Sequence, residues 1–103
     1  MSERFKADLK NWEITKVKAF ALSKIPKVVE KISKVKVVEN LAWLVKNVEN
    51  ADMVLRALSR EIVIDVNIDM EEKSIYMVTL SVLPKEYKLF AIVKHKIPLR
   101  EVA

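Results

Sequence analysis

Lys24, Lys27, Lys31 and Lys34 recur at spacings of three, four and three, which lines four ammonium groups along one side of a helix. Neighbours on such a face lie roughly 5–6 Å apart, and Lys16 and Lys18 stand just upstream. A row of this kind could track the phosphates of DNA or RNA. Its affinity would be indifferent to base sequence and would fall steeply with salt. Only Glu30 interrupts the basic run, whereas a face kept for solubility mixes both signs of charge. An ordinary solvated helix face is the competing explanation. Lys94, Lys96 and Arg100 near the end of the sequence could extend the same cationic surface.

Other chemistry-bearing residues are sparse. Asp65, Asn67 and Asp69 share one face of a predicted strand and could hold a hard cation, but no glycine turn shapes a calcium loop around them. A polar face that discourages edge pairing is the expected role. His95 is the single histidine, so it cannot build a zinc site alone, and a structural imidazole is expected. A general acid beside phosphates is its alternative role. Trp12 and Trp43 could stack bases, although both adjoin apolar stripes and core packing is expected of them. With no glycine and no cysteine among 103 residues, phosphate-cradling glycine loops, nucleophile elbows, thiol catalysis, disulfides and cysteine-based metal sites are all excluded. No cofactor, no metal and no catalytic residue is expected.

These side chains need elements to position them. Phe5, Leu9 and Trp12 at i, i+4 and i+7 predict a helix over residues 2–12 capped by Ser2. Residues 11–21 fit neither period, leaving strand and helix open, and a strand over 11–18 is one possibility. The clearest amphipathic helix is predicted over 23–36, with Pro26 in its first turn and a break at 35–38. Further helices are predicted over 39–48 and from Asn50 as a cap through Leu58. The period changes at Glu61. Ile62, Ile64, Val66, Ile68 and Met70 alternate with Val63, Asp65, Asn67 and Asp69, and two further strands follow over 74–83 and 88–97, with Pro98 ending the pairing. The expected fold is a single α+β domain over 1–103, in two layers. Residues 1–60 are mainly helical and pack on one face of a three- or four-stranded antiparallel meander over 61–98.

Charge is unevenly distributed. The net charge of +5 resolves into +6 over residues 1–36, −5 over 37–72 and +4 over 73–103. Missing glutamine and cysteine with abundant Lys, Glu, Val and Ile match a hyperthermophile pattern, pointing to a thermophilic archaeon, its virus or its plasmid. No apolar run approaches a membrane span and no leader peptide is visible, so a cytoplasmic protein without membrane contact is expected.

Two short stretches resemble the RelE-type ribosome-dependent RNase toxins. Leu22-Ser23-Lys24-Ile25-Pro26-Lys27 with Glu30-Lys31-Ile32 is similar to the run before that family's second helix. Lys94-His95-Lys96 with Arg100-Glu101 is similar to its closing Gly-His-Arg strand, with the glycine absent and Lys96 in place of the arginine. The resemblance implies RNA cleavage using Lys94, His95, Lys96 and Arg100, and this ranks third among the functions considered. First is a non-enzymatic binding module that contacts DNA or RNA through Lys16, Lys18, Lys24, Lys27, Lys31, Lys34, Lys94, Lys96 and Arg100. Second is a protein–protein or regulatory subunit with an acidic partner or a second copy of itself. Residues 88–97 are apolar on both faces yet last in the meander, so Leu89, Phe90, Ala91, Ile92 and Val93 are expected at a homodimer interface. Pairing with an N-terminal strand, or cover by the helices, would serve instead.

Overall fold

The alternating apolar residues near the end of the sequence form one long strand, and the rest of the sheet assembles on it. The computed structural model describes residues 4–102. In chain order the elements are β1 (Arg4–Ala7), β2 (Glu13–Ala21), α1 (Ile25–Glu30), α2 (Lys34–Asn47), α3 (Ala51–Ala57), β3 (Ile62–Asp69), β4 (Ser74–Val82) and β5 (Leu89–Val102). Single 3-10 turns lie at Leu9–Asn11, Leu22–Lys24 and Lys85–Tyr87. All strand pairs are antiparallel and the sheet runs β3-β4-β5. The far side of β5 is shared by β2, along residues 89–96, and β1, along 99–102. At about 3.3 Å per residue, the 14 residues of β5 span most of the molecule's 49 Å length.

The strand expected to lie at an edge is therefore central, and Pro98 does not end its pairing. The Pro98 carbonyl accepts the Asp8 N–H at 2.8 Å, while the Leu99 N–H on the opposite side of the strand donates to the Lys73 carbonyl at 2.7 Å. In an antiparallel strand a residue's N–H and C=O point the same way. The donor that proline lacks thus faces the gap between β1 and β2, where the Leu9–Asn11 turn leaves the sheet and no ladder acceptor is lost.

Of residues 2–12, expected as a helix, Arg4–Ala7 form β1 and Leu9–Asn11 a 3-10 turn; Ser2 and Glu3 lie outside the described residues. Phe5 and Ala7 are buried and Arg4 and Lys6 exposed, a period of two that pairing with β5 imposes over the helical spacing. Of residues 11–21, Glu13–Ala21 resolve as strand β2, after the 3-10 turn that ends at Asn11. The helix expected over 23–36 divides. Lys31 and Ile32 N–H groups bond back three residues to Val28 and Val29, closing α1. Ser33 is then extended (φ −80°, ψ 92°), and its carbonyl accepts the Val37 N–H that opens α2. The break expected at 35–38 lies inside α2.

The main core joins α2, α3, β1 and one face of the sheet: Leu44, Val48, Val54 and Leu58 pack with Phe5, Val66, Met77 and Ile97. Asn50 stands at the N-cap position of α3, but its side chain makes no capping bond. Instead its Oδ1 accepts the Ala7 N–H at 2.8 Å and its Nδ2 donates to the Ala7 carbonyl at 3.0 Å. Beside it, the Glu49 N–H donates to the Phe5 carbonyl at 2.8 Å. The outer edge of β1 is closed by these three bonds, with no further strand.

Two β-bulges shift faces. An extra residue between Val63 and Asp65 moves Ile62 out of the expected buried series and puts Val63 on the helix-covered face. A second, between Lys16 and Lys18, sends those two lysines to opposite faces of β2. In the absence of glycine, the turns before β4 and β5 hold Lys73 and Lys88 at φ 50°, the left-handed region.

Candidate functional site

The face of the sheet away from α2 and α3 is built by strict alternation. Register places Lys94, Lys96 and Arg100 of β5 beside Thr15 and Glu13 of β2, Lys6 of β1, and Val78 and Tyr76 of β4. Lys18, opposite Ile92, and Arg4 fall on the same side. Six cations thus share one face and approach two aromatic rings. The Lys96 ammonium sits 5.8 Å from the Tyr76 ring centroid, and Lys18 sits 5.3 Å from that of Phe20.

The charges on this face are held in place by neighbours. The Tyr76 hydroxyl donates to the Glu72 carboxylate, and that bond, with desolvation and the carboxylate's charge, holds the phenol above its ordinary range. Tyr76 and then the Glu72 carboxylate beside Lys96 hold its ammonium above the ordinary lysine range. A 2.7 Å hydrogen bond from the Asn11 side chain holds the Asp8 carboxyl below its usual range, with Arg100 adding to the effect.

Where β2 ends, the chain folds over this face. Phe20 stacks on Phe90 with ring centroids 5.6 Å apart, and Leu80 and Phe90 are fully buried there. Between α1 and the sheet lies a cleft of about 540 Å³. Its floor is apolar, formed by Phe20, Val28, Ile32, Ile64 and Val78, and Lys24, Lys27, Lys31 and Lys36 stand around it. Asp65 is the one carboxylate in the wall and lies 4.0 Å from the Lys36 ammonium. From here the chain passes the edge of β3, where Asn40 Nδ2 donates to the Val66 carbonyl at 2.6 Å. No family model, curated protein or solved structure matches this chain.

His95 occupies the other face. Its Nδ1 accepts the Trp12 indole N–H at 3.0 Å, and its Nε2 lies 2.9 Å from Thr79 Oγ1 and 3.2 Å from Glu61 Oε1. An indole nitrogen only donates, so Nδ1 carries no proton and the imidazole holds its hydrogen on Nε2. The Thr79 hydroxyl in turn donates to Glu61. An Nε2–H cannot take a proton from Thr79, so this arrangement does not work as a nucleophile–base pair. His95 is buried and separated by the sheet from Lys94, Lys96 and Arg100.

Of the cations expected from sequence, Lys18, Lys94, Lys96 and Arg100 share the open face, and Lys24, Lys27 and Lys31 share the cleft. Lys16 projects from the opposite face, across from Val93. Lys34 opens α2 and does not line the cleft; Lys36 does. Arg4 and Lys6 were missed because their segment reads as a helix; a period-two reading of Arg4-Phe5-Lys6-Ala7 would have found them. Phe90, Ala91 and Val93 are buried within the chain in the central strand, flanked by β2 and β4, which removes the edge argument for an interface there. The N-terminal strand β2 pairs with β5 along residues 89–96. Asp69 Oδ1 accepts the Glu71 and Glu72 N–H groups at 2.9 and 3.1 Å, closing the β3–β4 turn. Among the described residues no acidic, histidine or cysteine cluster could hold a metal ion, and no helix is long and apolar enough to cross a membrane. Trp43, partly buried, packs on Phe5 at the margin of the core, with ring centroids 5.9 Å apart.

Proposed function

We propose that this protein is a nucleic-acid-binding module whose open sheet face and lysine cleft follow a phosphate backbone. The observation that carries this is the convergence of Lys18, Lys94, Lys96 and Arg100 with Lys24, Lys27 and Lys31 on one side of the molecule. These residues come from three separate stretches of sequence. On the opposite sheet face, β2 adds only Lys16. A groove that is cationic, partly aromatic and shallow suits a single strand, whose bases are free to meet protein side chains while lysines take the phosphates.

Contact through these seven cations sets the expected salt dependence. At about 0.7 counterions per phosphate on a single strand, log affinity should fall with log salt at a slope of roughly −5. Fluorescence anisotropy with an oligothymidylate across a salt series measures it. Undetectable binding at about 50 mM salt, where such affinity is greatest, would remove the proposal.

A protein partner is the second reading, favoured by Val35, Val38 and Val45, which α2 leaves 69%, 65% and 58% exposed. Doubling of the mass in light scattering, lost in Val38→Lys, would favour it. The RNA-cleavage reading gains nothing from the geometry, because His95 does not share a face with Lys94, Lys96 and Arg100.

A further inference from the structure

We infer that the cleft between α1 and the sheet is a base-accepting pocket: it receives one unstacked nucleobase of the bound strand while Lys24, Lys27 and Lys31 take the flanking phosphates. This rests on the nucleic-acid reading above and names what that surface recognises.

The cleft differs in kind from the rest of the cationic face. Ammonium groups alone would serve a phosphate backbone, and they would do so best from a polar, convex surface. Here they surround a concavity whose floor is five apolar side chains, Phe20, Val28, Ile32, Ile64 and Val78. Its volume, about 540 Å³, lies within the range of sites that enclose small ligands. A nucleotide unit has the matching anatomy, an apolar flat ring joined to an anion. Phe20 is braced from behind by Phe90, and its other neighbour is the exposed Lys18 ammonium. An incoming base meets the Phe20 ring from the cleft, and the neighbouring Lys18 ammonium is placed to take the phosphate the base brings with it. Asp65 gives the wall one acceptor for a base amino or imide N–H, and its partner Lys36 keeps the carboxylate compatible with a polyanion nearby. A nucleobase uses all three features, the floor, the rim and the acceptor. A bare polyphosphate uses only the rim.

The test compares an oligothymidylate with an abasic oligonucleotide of the same length, which keeps every phosphate and lacks every base. The native protein should bind the abasic strand about tenfold more weakly, since stacking of a base on an aromatic ring is worth that much or more. The salt slopes of the two strands should be the same, because their phosphate contacts are. Val28→Trp fills the cleft without changing charge. It should weaken oligothymidylate binding to the abasic level and leave abasic binding and the salt slope as they were. Thymidine monophosphate should perturb the amide resonances of Phe20, Val28 and Val78 at millimolar concentration, identifying the nucleotide unit as the occupant. Equal affinity for the two strands in the native protein overturns the pocket while leaving phosphate tracking in place. Absence of binding to either strand overturns both.

Discussion

Tyr76 shows how one side chain ties the sheet's chemistry to pH. Its hydroxyl donates to Glu72 and its ring lies beside Lys96, and the phenol is held above its ordinary value chiefly by the hydrogen bond. A raised folded value means that the neutral phenol is the favoured partner. The stabilisation is complete below the unfolded phenol value, about 10, and disappears as pH rises through the higher folded value. Titration followed by phenolate absorbance in a Tyr87→Phe background should place Tyr76 above the free phenol, and Glu72→Gln should bring it down. An unchanged midpoint in Glu72→Gln would show that the carboxylate is not the cause. Sequence could not reveal this contact, because Glu72 and Tyr76 lie on opposite sides of a turn boundary whose geometry depends on Lys73 entering the left-handed region. His95 was legible only in outline. A structural role was the expectation from its isolation in the sequence, but its partners are remote in the chain: Thr79 in β4, and Trp12 and Glu61 just before β2 and β3.

At the scale of elements, the weakest-looking strand has the most specific support. β1 has only four residues, and its outer edge is closed by a side chain. Asn50→Leu would keep the volume but leave the buried Ala7 N–H and C=O without partners. That should destabilise the fold by about 2–4 kcal/mol in urea denaturation, given about 1–3 kcal/mol for each orphaned group. A loss below about 0.5 kcal/mol would mean that water replaces the carboxamide and that β1 is not held there. β4, the helices around Leu44 and Val54 and the existence of β3 were legible. Over β4 and those helices the apolar period agrees with the burial, whereas in β3 it holds only beyond the bulge, at Val66 and Ile68. β1 was not legible, since Phe5, Leu9 and Trp12 fit a helical spacing and only the distant C-terminal end of β5, residues 99–102, supplies the competing partner. Both bulges also escaped notice. A bulge adds one residue and inverts every face beyond it, as Lys16 and Lys18 illustrate, and no turn residue marks either one.

For the whole molecule, the central claim is that cations remote in sequence form one surface because a single long strand gathers them. Seven of these cations are candidates on sequence alone, but sequence could not separate Lys16 from Lys18 or exchange Lys34 for Lys36. Those distinctions depend on a bulge and on a helix break at Ser33. They also supply the control that a purely electrostatic account lacks, since Lys16 and Lys18 carry the same charge two residues apart. The most direct measurement is oligothymidylate affinity across a salt series for Lys16→Glu, Lys18→Glu, Lys94→Glu and Arg100→Glu, each made singly, with folding checked by circular dichroism. The three open-face variants should each weaken binding severalfold at low salt and flatten the logarithmic salt slope by about 0.7, while Lys16→Glu leaves the slope as in the native protein. Equal effects at Lys16 and Lys18, or no effect at Lys94 and Arg100, would contradict a binding surface on the open face of the sheet.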